Sequence, residues 1–247
     1  MYKIVVAGPE GPTHGVDVDC SGLAAHMFDT DASRVHISMR MQDIAECDAV
    51  IFPGGAPDVS PVFYGEENTS CAIIDFEQDK VQMELFAESV RRKKPIFGIC
   101  RGMQLGCVYF GATMIQDIET RRFHETCLEN PHFHDAFAVP GTVGEHLFGP
   151  VVKINSAHHQ AIKYVPKELG VSQIWTQRPD KASLLQGFKD GTLSEGSSDC
   201  IIETVYHKTY PFFAVQWHPE MDGKWYCHEA RPQKIIDHFF SLIEANH

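Results

Sequence analysis

The sequence predicts an α/β protein in which an open, mostly parallel sheet carries helices on both faces. Short β-branched runs end at glycine or proline, as buried strands do. Segments with helical periodicity separate these runs, and the short connections favour parallel strand pairing. The length of 247 residues and the hydrophobic share of 43% suit a single domain over residues 1–247 with a substantial core.

The first two strands are predicted at "YKIVVAG" and at Ala49–Phe52, where Pro53, Gly54 and Gly55 end the run. A helix follows in "DFEQDKVQMELFAESVRR". Its apolar residues share one helical face, and they are Phe76, Met83, Phe86, Ala87 and Val90.

The next strand is predicted at "KPIFGIC", and the next helix at "RGMQLGCVYFG". This second helix is apolar nearly all round, so we expect it to be buried. Residues 121–150 are rich in His, Gly and Pro and are expected to be irregular, and residues 177–198 read as an inserted polar loop. Two more strands at "VVKIN" and "FFAVQW" and a closing amphipathic helix at "RPQKIIDHFFSLIEA" complete the prediction.

Composition narrows the class of protein. A net charge of −12 gives no electrostatic footprint for nucleic acid. No apolar run reaches the length of a membrane span, and the N-terminus turns polar too early for a signal peptide, so a cytoplasmic location is expected. The eight cysteines form no C-x-x-C pair, so we expect reduced thiols.

The 14 histidines raise the question of a metal. His124, His132 and His134 are close enough in sequence to suggest a cluster. However, the chain contains neither H-E-x-x-H nor Cys/His zinc spacing, so no metal site is expected from motifs.

Cys100 stands between Gly98 and Gly102 at the predicted strand-to-helix turn. This is the pattern of a nucleophile elbow, in which glycines are needed because the turn is crowded. The N-terminus of the next helix favours thiolate and a developing oxyanion, and the backbone N–H of Arg101 is the natural donor. Taken alone, the pattern fits an inert thiol in a tight turn equally well.

His218 and Glu220 follow the predicted strand "FFAVQW". Residues i and i+2 of an extended chain point the same way, and Pro219 keeps His218 out of helical geometry. A carboxylate beside an imidazole fixes its tautomer and stabilises the imidazolium. With Cys100, these residues are the parts of a thiol acyl-transfer site.

The blocks "PGGAPDVSPVFYGE", "GICRGMQ" with "GATMIQDI", "INSAHHQAI", "DCIIETVYH" and "AVQWHPE" together resemble class I glutamine amidotransferases. Within that superfamily they are most similar to the γ-glutamyl-γ-aminobutyrate hydrolase and γ-glutamyl hydrolase branch. The likeness covers roughly residues 45–220. It implies the flavodoxin-like fold of that superfamily, with a nucleophile elbow.

The resemblance implies roles for nine residues. Cys100 would be the nucleophile, His218 the general base and acid, and Glu220 its orienting partner. The remaining six would form the oxyanion hole and line the substrate site: Gly54, Gly55, Arg101, Gln104, His159 and Gln160. The implied reaction is hydrolysis of a γ-glutamyl amide through a thioester, which releases glutamate and an amine and needs no metal or organic cofactor.

Three departures from the family pattern bear on the substrate rather than on the chemistry. The stretch before Asp48 is expected to lack the usual helix with small apolar residues. The elbow helix reads "LGCVYFGATM" where an Asn-rich, Gly-Gly version is common, and residues 177–198 are an insertion.

Two other functions stay open at this point. The domain could be a glutaminase subunit that supplies ammonia to a separate synthetase, such as a nucleobase-modifying enzyme. It could also be a non-catalytic binding protein on the same fold, although the intact Cys-His-Glu set argues against this. Homo-oligomer formation is also left open.

Overall fold

The computed structural model describes residues 1–15, 17–125 and 131–246. The strands β1 to β11 of this part of the chain are Tyr2–Val6, Ser33–Ile37, Ala49–Phe52, Ile96–Ile99, Thr113–Ile115, His132–Ala138, Val151–Ser156, Ala161–Tyr164, Leu169–Thr176, Cys200–His207 and Phe212–Val215. Its α-helices α1 to α7 are Cys20–Phe28, Met41–Glu46, Phe76–Arg91, Arg101–Tyr109, Val143–Phe148, Lys181–Asp190 and Pro232–Asn246.

The main sheet of the described residues has nine strands in the order β2-β1-β3-β4-β11-β10-β9-β6-β7. The strands from β2 to β11 pair in parallel, and the strands from β11 to β7 pair antiparallel. Strands β5 and β8 form a separate antiparallel pair. The parallel part has the flavodoxin-like strand order, and the predicted fold class is confirmed.

Two cores cover the two faces of the sheet, because successive side chains of a strand point to opposite sides. On one side, Val50 and Phe52 of β3 pack in a cluster with Phe86 of α3 and with residues of α4. On the other side, Ile51 packs in a cluster with Phe239 of α7 and with residues of α1. The helices on both faces therefore bury a strand that is apolar throughout.

Three predictions about local structure were wrong. The predicted loop 177–198 contains α6, whose Leu184 and Phe188 are buried. The predicted irregular segment 121–150 contains β6 and α5, while residues 126–130 lie outside the described part. Helix α1 forms before Asp48, and Asp19 begins it by accepting a hydrogen bond from the backbone N–H of Gly22 at 2.8 Å.

Helix α3 forms where the sequence predicts it, but its buried face differs from the predicted one. Phe86 is buried, whereas Phe76 is exposed. Two polar residues of α3, Asp79 and Gln82, are fully buried instead. They contact Arg101 at the start of α4, so this face of α3 supports the strand-to-helix turn as well as the core.

The turn between β4 and α4 has the crowding that a nucleophile elbow requires. A Cβ atom at Gly98 would lie 2.8 Å from the carbonyl oxygen of Gly102. One at Gly102 would lie 2.0 Å from the carbonyl oxygen of Phe52. Glycine at both positions is therefore what lets β3, β4 and α4 approach each other so closely.

None of the seven α-helices in the described part of the chain has the length and apolar surface required to cross a bilayer.

Substitution of Gly102 by alanine tests this packing. We expect Gly102→Ala to lower the free energy of unfolding by about 3 kcal/mol or more, because the new methyl group meets backbone that cannot move independently. Urea unfolding measures the change. Gly55→Ala is the matched control, since a Cβ there meets Arg101 Cδ at an ordinary 3.5 Å and should cost much less. Equal losses in the two variants would contradict the packing argument.

Candidate active site

Cys100 lies at the carboxyl end of β4 and directly precedes α4. Its backbone has φ of 48° and ψ of −106°, a region that L-residues rarely adopt. The thiol-bearing residue is buried, and the first backbone N–H groups of α4 beside it have no acceptor within the helix. A thiolate and an oxyanion would both be stabilised at such a helix start.

His218 and Glu220 lie just beyond the end of β11, which is the strand next to β4. His218 Nδ1 and Glu220 Oε1 are 2.8 Å apart, and both residues are buried. A Cβ atom at Gly54 would lie 3.1 Å from His218 Cε1 and 3.7 Å from Cys100 Cβ. The ends of β3, β4 and β11 thus bring Gly54, Cys100 and His218 together.

The surroundings of His218 strongly favour its protonated form. Burial alone would lower the pKa of the imidazole. The negative charges of Glu220 and of the Cys100 thiolate, together with hydrogen bonds to both residues, outweigh burial and raise the pKa well above its ordinary value. An imidazolium paired with the Glu220 carboxylate can donate a proton to a leaving amine.

Two further residues that the sequence analysis did not single out fix this arrangement. Asn155, at the end of β7, accepts a hydrogen bond from the backbone N–H of His218 at 2.8 Å. Its amide group donates to the carbonyls of His218 and Trp225, both at 2.8 Å. Gln216 donates to Cys100 Sγ at 3.5 Å and accepts from Gln104 Nε2 at 3.2 Å. Their only sequence signal was a polar residue at the end of an apolar strand.

The side chain of Arg101 forms hydrogen bonds to residues of α3 rather than pointing its guanidinium at the reacting atoms. It is fully buried and donates to Asp79 Oδ1 and to Gln82 Oε1. Gln82 in turn donates to the carbonyl of Ala7 at 2.7 Å, and Asp79 accepts from the backbone N–H of Ser60 at 2.8 Å. The guanidinium therefore anchors the elbow to α3 and to the residue that follows β1. The part of Arg101 that remains a candidate oxyanion donor is its backbone N–H, not its side chain.

A cavity of about 350 Å³ opens above the thiol. Its wall includes nine of the residues that matter for the site, which are Cys100, His218, Gly55, Arg101, Gln104, His158, His159, Gln160 and Arg121. Glu220 lies behind His218, and Gly54 lines a small neighbouring cavity together with Gly55. Among the described residues, none of 177–198 reaches this wall.

The polar wall of the cavity has defined hydrogen-bond partners. His159 Nε2 lies 2.9 Å from Asp58 Oδ1, and its Nδ1 lies 3.4 Å from Asp117 Oδ1. The hydrogen bond to Asp58 raises the pKa of His159, although burial opposes it. Gln160 Nε2 donates to Cys71 Sγ at 3.2 Å. Within the described residues, Gln160 Oε1 is buried without a hydrogen-bond partner, so a ligand could use it.

Seven of the nine predicted site residues thus line this cavity, while Gly54 and Glu220 lie directly beside it. Their roles as nucleophile, base, orienting carboxylate, oxyanion donors and substrate contacts stay predictions. The arrangement is that of a glutamine amidotransferase-type fold. A glutamine amidotransferase structure from Thermotoga maritima aligns with a TM-score of 0.58 at 14% identity, covering 99% of this chain and 84% of that one.

The family follows from the sequence comparisons. The Peptidase C26 family model matches residues 14–178, which is more than half of the chain and includes Cys100. The chain therefore belongs to the Peptidase C26 family.

Three curated relatives are similar to this chain. The glutamine amidotransferase-like protein YvdE of Lactococcus lactis is 33% identical over 70% of this chain and 66% of its own length, so the chain spans just under two thirds of that protein. The γ-glutamyl-γ-aminobutyrate hydrolase of Escherichia coli O157:H7 is 26% identical over 77% and 70%. A glutamine-hydrolysing GMP synthase subunit of Methanospirillum hungatei is 25% identical over 84% and 89%.

We predict that Cys100→Ala reduces turnover by about 10⁴-fold or more while the protein stays folded, because the thiol supplies the attacking atom. Circular dichroism and a turnover assay separate the two effects. Cys107 is the internal control for thiol reactivity. It lies on the same helix but is buried, and burial raises its pKa, so iodoacetamide should leave it unmodified in the folded protein. Near-normal turnover by Cys100→Ala would rule out the nucleophile assignment.

We predict that Glu220→Gln lowers the rate by roughly 10²-fold or more, and His218→Asn lowers it further. Removing the carboxylate removes a charge that raises the pKa of His218. The imidazolium therefore loses its proton at lower pH, and the alkaline limb of kcat/KM against pH moves to lower pH.

Asp222→Asn, which neutralises an exposed carboxylate two residues further along, is the control and should leave the profile unchanged. A Glu220→Gln enzyme that is slower but keeps the wild-type alkaline limb would show that Glu220 does not act through the charge of His218.

Proposed function

We propose that this protein hydrolyses γ-glutamyl amides through a γ-glutamyl thioester on Cys100. The observation that carries the proposal is the convergence of a buried thiol, a His–Glu pair at 2.8 Å and a helix N-terminus on one cavity of about 350 Å³. A cavity of this size suits a small molecule. The Escherichia coli relative is named as a γ-glutamyl-γ-aminobutyrate hydrolase, and this similarity supports the same acyl group.

In the proposed reaction, the Cys100 thiolate attacks the γ-carbonyl and forms the C–S bond. Backbone N–H groups of Arg101 and of Gly54 or Gly55 stabilise the oxyanion. The His218 imidazolium then gives its proton to the leaving nitrogen as the C–N bond breaks. The neutral imidazole next takes a proton from water, which attacks the thioester, releases glutamate and restores the thiolate.

We propose that the enzyme recognises the glutamyl half strictly and the amine half loosely. Gln104 and Gln160 are buried and His159 is partly buried, and all three offer donors and acceptors for an α-amino acid head group. Gln160 Oε1 has no partner among the described residues. Arg121 and Glu125, on the segment where we expect the amine, are partly exposed and pair with each other at 2.9 Å. A solvated ion pair can adjust to different amines at little cost.

The substrate test compares kcat/KM across γ-glutamyl amides with varied amines, a β-aspartyl amide and a des-amino analogue. We expect varied amines to change kcat/KM by about tenfold, and a changed acyl half to lower it by about 10³-fold or more, since unmet buried hydrogen bonds are costly. Cys100→Ala provides the background rate. If changing the amine lowered kcat/KM as much as changing the acyl group, the proposed selectivity would be contradicted.

A second candidate is a glutaminase that supplies ammonia to a separate synthetase. The similarity to a glutamine-hydrolysing GMP synthase subunit favours it. It predicts that glutamine alone is turned over, and that a co-purifying synthetase raises the rate of ammonia release. Hydrolysis of several γ-glutamyl amides by the isolated chain would favour the free hydrolase.

A further inference from the structure

Four polar side chains form a buried cluster next to the cavity, and none of them takes part in the proposed reaction. His124 follows a short 3₁₀ turn, His134 lies on β6, His158 follows β7 and Glu203 lies on β10. His124 and Glu203 have no exposed surface, and the other two are more than nine-tenths buried. We refer to His124, His134, His158 and Glu203 as the buried His-Glu cluster.

The hydrogen-bonding capacity of this cluster is largely unmet. In the described part of the chain, neither carboxylate oxygen of Glu203 has a hydrogen-bond partner. The same holds for His124 Nε2, His158 Nε2 and both ring nitrogens of His134. Buried polar groups without partners are costly, and a buried carboxylate is the most costly of them. Six such atoms at one place indicate a ligand that they share.

The ligand atoms face each other at short range. Glu203 Oε1 lies 3.4 Å from His134 Nε2 and 3.8 Å from His124 Nδ1. One ligand atom from each of His124, His158 and Glu203 can be chosen so that all lie within 4.8 Å of one another. Tetrahedral bonds of about 2.1 Å place ligand atoms about 3.4 Å apart, so modest side-chain rotations would close the site.

Supporting contacts hold two of the rings in place. His158 Nδ1 lies 2.9 Å from the carbonyl oxygen of Gln160, to which it can donate, and this leaves Nε2 with a free electron pair. The backbone N–H of His158 donates to the carbonyl of His124 at 3.1 Å. Trp175 packs edge-on against His124, with ring centroids 4.5 Å apart. An imidazole oriented through its second nitrogen by a carbonyl is the usual outer contact of a metal ligand.

We propose that the buried His-Glu cluster binds one divalent transition-metal ion of the zinc type, with His124, His158 and Glu203 as ligands and His134 as the fourth. Three imidazoles and one carboxylate suit zinc and its neighbours in the first row. Magnesium and calcium prefer all-oxygen sites.

The protonation of the cluster is consistent with this site. Burial lowers the pKa of His134 to about 4 and that of His158 to about 3, so both rings are neutral at pH 7. Burial also raises the pKa of Glu203 well above its ordinary value.

The ion would stiffen one wall of the cavity without touching the reacting atoms. His158 lines the cavity and is followed directly by His159 and Gln160, whereas the nucleophile lies at the turn between β4 and α4. This site does not depend on the proposed function. The metal-site proposal holds whichever substrates the enzyme turns over, because its test measures bound metal rather than turnover.

The test uses the full chain without an affinity tag, stripped with a chelator and then dialysed against Zn²⁺. We expect one zinc per chain by mass spectrometry of the metal, and less than one tenth of that in Glu203→Gln. His238→Gln changes a half-buried histidine packed against Phe213 and should keep one zinc. If Glu203→Gln does not fold, His158→Gln replaces it with the same expected loss.

Zinc binding by Cys100 and His218 is the main competing explanation, and Cys100→Ser separates it. The proposed site keeps one zinc in that variant. With Co²⁺ as the probe, it gives visible d–d bands without the near-ultraviolet band of a thiolate ligand. Less than one tenth of an equivalent in the wild type would overturn the proposal. Full occupancy in Glu203→Gln together with loss in Cys100→Ser would also overturn it.

Discussion

The rest of the site depends on the turn at Cys100. A residue other than glycine at φ of 48° is strained, at a cost of about 1–3 kcal/mol. The strain persists because the surrounding structure leaves no alternative. Gly98 and Gly102 sit against backbone with no room for a side chain, and β4 pairs with strands on both sides. The thiol is therefore presented by the sheet as a whole rather than by a flexible loop.

The buried ion pair between Arg101 and Asp79 extends this constraint to α3. Burial lowers the pKa of Arg101 and raises that of Asp79, so burial disfavours the charged form of each partner. Such a pair adds little net stability, but loss of one partner would leave the other charge uncompensated, at about 3–5 kcal/mol. The pair contributes mainly to the position of α4, because Gln82 accepts a hydrogen bond from Arg101 and the backbone N–H of Ser60 donates one to Asp79.

The sequence was informative where function depends on local geometry. A few consecutive residues are enough to identify the elbow at Cys100 and the His218–Glu220 pair. The structure brings both to one cavity. Asn155 and Gln216 were not predicted, because a single polar residue at a strand end shows a role only once the topology gives it hydrogen-bond partners.

Contacts between residues far apart in sequence were the other limit of the prediction. His124, His158 and Glu203 are separated by 34 and 45 positions, so no motif spacing could indicate that they meet. Helix α6 was missed for a different reason, since its sequence is mostly polar and only Leu184 and Phe188 are buried, which leaves a weak helical pattern.

Residues 155–160 connect the antiparallel part of the sheet, to which β7 belongs, with residues that follow the parallel strands β4 and β11. Asn155 holds the backbone of His218, so the antiparallel half sets the position of the base. His158 points into the buried His-Glu cluster, while Gln160 accepts from Gln104 through its carbonyl at 3.4 Å. A shift of this run would therefore move the base and the substrate wall together. The parallel half supplies the nucleophile, and the antiparallel half determines what the nucleophile meets.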